Sequence, residues 1–365
     1  MQEINLQQNN KKTYDTVHIT TEILEFAIGG IATVLTKLYN NKKENELFIL
    51  NHKSREDFTL SKSEDILKIH IDDFLSMEKL PINNEPKVIF FHSFQSLLSS
   101  NLKTSAKKVY VVHSIIPFEN HFCDNRDKVS EQGFWRAYDN ADEIVVVSLS
   151  EIQKMNDLVK MLGKKPKPIR HIYNGIELKF QDIPNDEIQK GLIGYVGRID
   201  YRKGVFPLIE NMRDVEEYKL IMATGSPSSL NVKFVEKFYQ KIEHQAKGKV
   251  MPLGYASGKR LNSVYQKCEL IVIPSIYEPF GMTVLEAIQH GKLILASKVD
   301  GILEILGEQY PLYFDVCKNG DLNRVLKKYE QMSEQEKKSL IDHNYNLLRN
   351  FSTDNMVREY QQYAM

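Results

Sequence analysis

Two successive series of short, continuously apolar runs, each run followed by a longer amphipathic segment, dominate this chain. The first series is VHIT (17–20), LFIL (47–50), LKIHI (67–71), KVIFFH (87–92), KVYVVH (108–113) and EIVVVS (143–148). The second is LIGYVGR (192–198), KLIMATG (219–225), KVMPLG (249–254), LIVIPS (270–275), KLILAS (292–297) and PLYFD (311–315). A strand covered on both faces reads as an unbroken β-branched run, and a helix between two such strands returns the chain so that they lie parallel. The pattern therefore predicts two doubly wound α/β domains. Between the series, NGIELKFQDIPNDEIQKG (174–191) is rich in turn formers and charge and reads as a linker. The expected boundaries are 1–183 for the N-terminal domain and 184–345 for the C-terminal domain. Residues 346–365, NLLRNFSTDNMVREYQQYAM, read as a terminal helix pair. With 365 residues, 42% of them hydrophobic, the chain can fill two cores.

Charge and cysteine content exclude several classes. Lys+Arg and Asp+Glu are equal at 48 each, and the charges cancel within 1–180 and again within 181–365. A nucleic-acid binder carries a basic excess, so none is expected as a partner. Local basic clusters occur at NLKTSAKK (101–108) and KMLGKKPKPIR (160–170), where solvated surface and contact with an anionic lipid or glycan are the two readings. Cys123, Cys268 and Cys317 lie far apart, without zinc-site spacing or a disulfide framework, which fits a reducing cytoplasm. The polar start MQEINLQQNNKKTYDT is no signal peptide, and no apolar stretch nears the roughly 20 residues that span a bilayer.

Ligands of open α/β sheets bind outside the carboxyl ends of the strands, so the chemistry is sought there. After the strand LIVIPS comes the turn IYEPFG and then the helix MTVLEAIQHG. Pro279 fixes φ and Gly281 allows close backbone approach. The amides near Met282, Thr283 and Val284 begin the helix and suit an anion such as phosphate. Glu286 shares a face with Met282 and Thr283 and can accept from a ribose. Glu278, in the turn, can meet sugar hydroxyls. An isolated pair of surface glutamates has the same spacing; the strand–turn–helix frame is what favours a nucleotide-sugar site. In GYVGRIDYRKG (194–204), Arg198 and Lys203 follow a strand end and can clamp a diphosphate, against the alternative of ordinary surface charge. Gly29 and Gly30 precede the first helix and can bring amides to a phosphate or sugar, or form only a turn.

These residues resemble the retaining glycosyltransferases of GT-B architecture, closest to family four. EPFGMTVLEAIQHG resembles that family's E-x7-E signature, GYVGRIDYRKG its phosphate-binding segment, and HIYNGIE (171–177) its interdomain segment. TTEILEFAIGG (20–30) is similar to bacterial glycogen synthases. The resemblance implies two Rossmann-like domains facing a central cleft, with the C-terminal helices crossing back to the N-terminal domain. It implies a metal-independent enzyme that moves a sugar from a nucleoside diphosphate sugar to a glycan, lipid-linked or protein acceptor. UDP-sugar is the expected donor, GDP- and ADP-sugars the alternatives. Cell-surface glycoconjugate synthesis is the expected setting, in the cytoplasm or at the inner face of the membrane. Carried over by position, Arg198 and Lys203 neutralise the leaving diphosphate and Glu278 holds sugar hydroxyls. Backbone amides of Phe280, Gly281 and Met282 assist, Glu286 binds ribose, and Tyr255 lies near the base. His113 is the strand-end histidine beside the donor sugar, with His92 its competitor. The family often carries Gly-Gly where this chain has Asp300-Gly301. A non-catalytic GT-B subunit that binds acceptor or stabilises a partner is the alternative function.

Overall fold

The computed structural model describes residues 12–22, 30–52, 66–98, 101–121, 127–179, 187–224 and 232–363. They form two compact units. One is built mainly from the chain up to Gly175 together with Asp354 onward, the other mainly from Ile176–Thr353.

The first unit holds a seven-stranded sheet. Its strands are β1 (Thr16–Thr20), β2 (Glu46–His52), β3 (Ile66–His70), β4 (Val88–Phe91), β5 (Lys107–Val112), β6 (Glu143–Val146) and β7 (Ile169–His171). Their order is β3-β2-β1-β4-β5-β6-β7, and every pair is parallel. Val17, Ile19, Ile49, Ile89, Phe91, Val112, Ile144 and Val146 project into one buried core beneath the helices. The short edge strand β7 is absent from the sequence reading. It lies in a basic segment after Pro168, and Ile169 is its one apolar residue, so no hydrophobic run announces it.

The second unit holds β8 (Gln189–Gly197), β9 (Lys219–Thr224), β10 (Val250–Tyr255), β11 (Cys268–Ile273), β12 (Leu293–Ser297) and β13 (Tyr313–Phe314). All pairs are parallel and the order is β10-β9-β8-β11-β12-β13. In both sheets the first strand is central and the order reverses beside it. The reversal opens a crevice at the carboxyl ends of β1 and β4 in one unit, and of β8 and β11 in the other.

The chain leaves and re-enters the first unit at two adjacent points. Ile176 forms a parallel bridge with Ser352, its N–H donating to the Phe351 carbonyl (2.8 Å) and its carbonyl accepting from Thr353 (2.9 Å). The expected terminal helix pair is instead a 3-10 turn, Leu348–Phe351, and one helix, Thr353–Gln362. That helix brings Tyr360 into the aromatic packing of the first unit, and the following Tyr363 hydroxyl donates to the buried Glu143 carboxylate (2.7 Å).

Candidate active site

At the β8–β11 crevice two turns are laced together. After β8, Asp200 caps the 3-10 turn Tyr201–Lys203: its Oδ1 accepts from the Arg202 N–H (3.0 Å), and its Oδ2 accepts from Arg202 Nε (3.1 Å). The same Oδ2 lies 3.5 Å from Nη2 of the half-exposed Arg198. The Arg202 carbonyl then accepts the N–H groups of Ile276 and Tyr277, in the turn after β11, at 2.7 and 3.2 Å. Gly204 makes this contact feasible. It sits at φ +65°, and a Cβ there would fall 1.9 Å from the Pro274 carbonyl oxygen.

The lacing brings together two residues 75 positions apart. Lys203 Nζ pairs with Glu278 Oε2, and the Ser275 hydroxyl donates to the same oxygen at 3.0 Å. Glu278 is only 8% exposed. A carboxylate this deep requires a partner, because an unpaired buried charge costs several kcal/mol. Lys203 and Glu278 are thus joined directly, as a cation and an acceptor.

Downstream, Gly281 lies at φ +111° and begins the helix Met282–Gln289 without a side-chain cap. The Val284 N–H is given to the Gly281 carbonyl (2.9 Å) and its side chain is fully buried, while Met282 and Thr283 stand at the very start of the helix. Phe280 is buried, and its backbone packs so closely on Gly301 that a Cβ at 301 would fall 2.3 Å from the Phe280 Cα. The Gly301 N–H donates to the Glu278 carbonyl (3.1 Å), which fixes the turn carrying the carboxylate. Asp300, where the resembled family often has glycine, holds φ +38°, in the region that favours glycine.

Glu286 sits one turn into the helix and accepts from the Tyr265 hydroxyl at 2.8 Å. Tyr265 in turn stacks on His290 (4.6 Å between centroids, 17° between planes). Sequence reasoning missed Tyr265, whose place on the apolar face of the helix Gly258–Lys267 gave only a core signal. Tyr255 ends β10 and is partly exposed; β9 separates its strand from β8, so it stands apart from the laced turns.

In the first unit, Gly30 begins the helix Gly30–Asn40 and is exposed, while Gly29 lies outside the described residues. His113 follows β5 and is partly exposed. His92 Nδ1 lies 3.2 Å from His113 Nε2, so the two rings are hydrogen-bonded. His92 Nε2 continues to His18 Nδ1 at 3.1 Å. Burial lowers the pKa of His18 from 6.5 to about 3 and that of His113 to about 4, and holds His92 well below its ordinary value. All three are neutral at pH 7. Below pH 6.5 the unfolded chain takes up protons that the folded imidazoles refuse, so their contribution to stability is complete above pH 6.5 and falls as the pH drops toward about 4. The expected result is an unfolding midpoint that drops between pH 7 and pH 5, and by less in His18→Phe. A midpoint independent of pH in this range contradicts the assignment.

Among the described residues no cluster of three or more His, Cys, Asp or Glu side chains is placed to hold a metal ion, and no helix is long and apolar enough to cross a membrane. Cys268 is buried and Cys317 exposed, both as free thiols; Cys123 lies outside the described residues.

Comparison with known proteins agrees with this geometry. Residues 177–345 match the family model described as Glycosyl transferases group 1. An uncharacterized glycosyltransferase of Methanocaldococcus jannaschii, MJ1607, is 25% identical over 301 residues, covering 74% of this chain and 73% of that protein. Sucrose-phosphate synthase from Thermosynechococcus elongatus superposes with a TM-score of 0.77 at 16% identity, over 96% of this chain and 98% of that one. Anabaena HepE, solved in complex with UDP-glucose, superposes with a TM-score of 0.71 at 16% identity, over 95% and 98%. At these identities the solved structures establish the fold: two Rossmann-like units of the GT-B type. The chain has the GT-B fold, and the match to the group 1 glycosyl transferases lies in its second unit, at 177–345.

Proposed function

We propose that the β8–β11 crevice binds a nucleoside diphosphate sugar and that the enzyme transfers the sugar with retention at the anomeric carbon. The observation that carries this reading is the joining of Lys203, Glu278 and Ser275 at the switch point of the second sheet. Arg198 and Lys203 neutralise the diphosphate as it leaves, aided by the amides that begin the helix at Met282. Stabilising that charge is the main catalytic contribution and calls for no metal. Glu278, released from Lys203 by the phosphate, accepts hydrogen bonds from the sugar hydroxyls. Glu286, held by Tyr265, accepts from the ribose. His113 meets the sugar being transferred. The acceptor hydroxyl attacks on the face the diphosphate leaves and passes its proton to a donor phosphate oxygen, so no protein nucleophile takes part.

UDP-sugar is the proposed donor, supported by the fold shared with a structure that contains UDP-glucose. The proposed acceptor is a glycan, lipid-linked or protein group. A non-catalytic role is disfavoured because Arg198, Lys203, Glu278 and Glu286 are all present. The proposed place of action is the cytoplasm or the inner membrane face. For that second setting the supporting surface is the exposed pair Met161 and Leu162, flanked by exposed Lys160 and Lys165.

The test is incubation with UDP-, GDP- and ADP-sugars in excess chelator, reading slow donor hydrolysis. Consumption of one donor is expected; none consumed, or consumption only with added metal, counts against the reading. Glu286→Ala is expected to weaken nucleotide-sugar binding by about 1–3 kcal/mol, since the ribose hydroxyls lose a pre-positioned acceptor. Tyr265→Phe, which removes one hydrogen bond to the same carboxylate, is expected to cost less. Titration calorimetry giving equal affinities for wild type and Glu286→Ala would remove Glu286 from the site.

A further inference from the structure

The structure assigns His18 and His92 as positioning residues that, through a continuous imidazole chain, lock His113 into the one tautomer all three rings share; this rests on the reading of His113 as the group that meets the transferred sugar.

The chain follows from sheet register. His18 lies mid-strand in β1, opposite Phe48 of β2 and Phe90 of β4. Its ring stacks on both, with centroids at 4.6 and 4.9 Å and interplanar angles of 11° and 14°. His92 is two residues beyond Phe90, so it emerges on the same face, and its own N–H donates to the Ile19 carbonyl at 2.9 Å. His113 follows the next strand, β5. The three rings step from the middle of the sheet to its carboxyl edge. Neighbouring rings are stacked, with centroids at 5.4 and 5.5 Å, and Tyr360 packs edge-on to His18 and tilted against His92.

The atoms in the two hydrogen bonds leave little choice. His18 uses Nδ1 toward His92 Nε2, and His92 uses Nδ1 toward His113 Nε2. A neutral imidazole carries one N–H and one acceptor nitrogen. If His18 donates from Nδ1, His92 Nε2 accepts, so the His92 proton is on Nδ1; His113 Nε2 then accepts, and its proton is on Nδ1 too. If instead His113 donates from Nε2, the same logic places every proton on Nε2. Mixed assignments set two N–H groups or two lone pairs against each other. The proton position on His113 is therefore coupled, ring by ring, to that of His18 two strands away. A charge on the central ring would be buried between two imidazoles and the aromatic rings of Phe90 and Tyr360, and the low pKa values agree that it stays neutral. A His113 fixed in one tautomer always presents the same kind of group, donor or acceptor, on its remaining nitrogen, Nδ1.

The test begins with the wild-type protein, full chain, labelled with ¹⁵N-histidine at pH 7. Long-range ¹H–¹⁵N correlation is expected to show His18, His92 and His113 neutral and in one common tautomer. Two variants follow, assayed with the nucleotide sugar consumed in the donor screen. His18→Phe keeps an aromatic ring in the stack and breaks the chain; His113 is expected to become a tautomer mixture, with kcat about tenfold lower and KM for donor within about twofold. His18→Asn, whose amide can reach the Nδ1 position, is expected to restore most of kcat. A wild-type His113 whose tautomer differs from that of His18, or is averaged, overturns the inference whether or not any variant folds, and leaves the proposed function standing. Unchanged kcat in His18→Phe overturns it as well. If the rings share a tautomer but His113→Ala turns over normally, the sugar-contact role of His113 fails and the positioning role with it, while the ring coupling stands.

Discussion

Lys203→Ala is expected to lower kcat by about 10²–10³-fold, the largest loss of any single change at the site. Two effects combine. The variant loses a cation placed for the leaving diphosphate, whose charge peaks in the transition state. It also leaves Glu278 as a buried carboxylate held, among the described residues, by the Ser275 hydroxyl. The second effect lowers stability, because breaking a buried pair costs about 3–5 kcal/mol in well-enclosed cases and less here, where the Lys203 side chain keeps 18% exposure. Arg198 is half-exposed and lies 3.5 Å from the Asp200 carboxylate, so Arg198→Ala is expected to depress kcat with little change in stability. Steady-state rates beside thermal melts separate the two effects. A folded Arg198→Ala/Lys203→Ala double variant with wild-type turnover would refute the diphosphate clamp.

Gly204→Ala is expected to be the most destabilising small substitution in the second unit, by about 3 kcal/mol or more. The added Cβ meets the Pro274 carbonyl oxygen at 1.9 Å, backbone against backbone, in a conformation (φ +65°) that L residues rarely adopt. Relief requires separating the turns after β8 and β11, and with them Lys203 from Glu278. Gly320 is the control. It has φ +78° but open space around its Cβ position, so Gly320→Ala incurs only the left-handed strain of about 1–2 kcal/mol. Urea unfolding of both variants tests the contrast. Equal midpoints would mean that the Gly204 approach to Pro274 does not hold the site together.

The doubly wound architecture was legible because strands buried on both faces need unbroken apolar runs, and runs such as KVIFFH and LIVIPS carry no competing helical period. β7 was illegible for the same reason in reverse: an edge strand of three residues with a central Arg170 buries too little to show a pattern. In the candidate site, Glu278, Lys203 and Glu286 were proposed from their spacing beside strand ends, and the structure pairs the first two. Their partners were not. Tyr265 reaches Glu286 from 21 positions away, a contact that sequence spacing does not encode; Ser275 and Asp200 bond to groups two or three residues away, in turns whose shape spacing alone does not fix, and the pairing of Lys203 with Glu278 depends on a glycine passing a carbonyl 70 positions away. His18 gave no functional signal, since a lone histidine inside VHIT reads as core; only the register of β1 against β4 lines it up with His92 and His113.

The central claim is that the laced turns after β8 and β11 form a nucleotide-sugar site, and titration calorimetry tests it most directly. UDP-, GDP- and ADP-sugars are titrated in chelator into wild type, Lys203→Ala and Glu286→Ala. The expected result is saturable binding of one nucleotide sugar to the wild type, weakened in both variants. No binding of any of them to the folded wild type, or equal affinity in all three proteins, would contradict it.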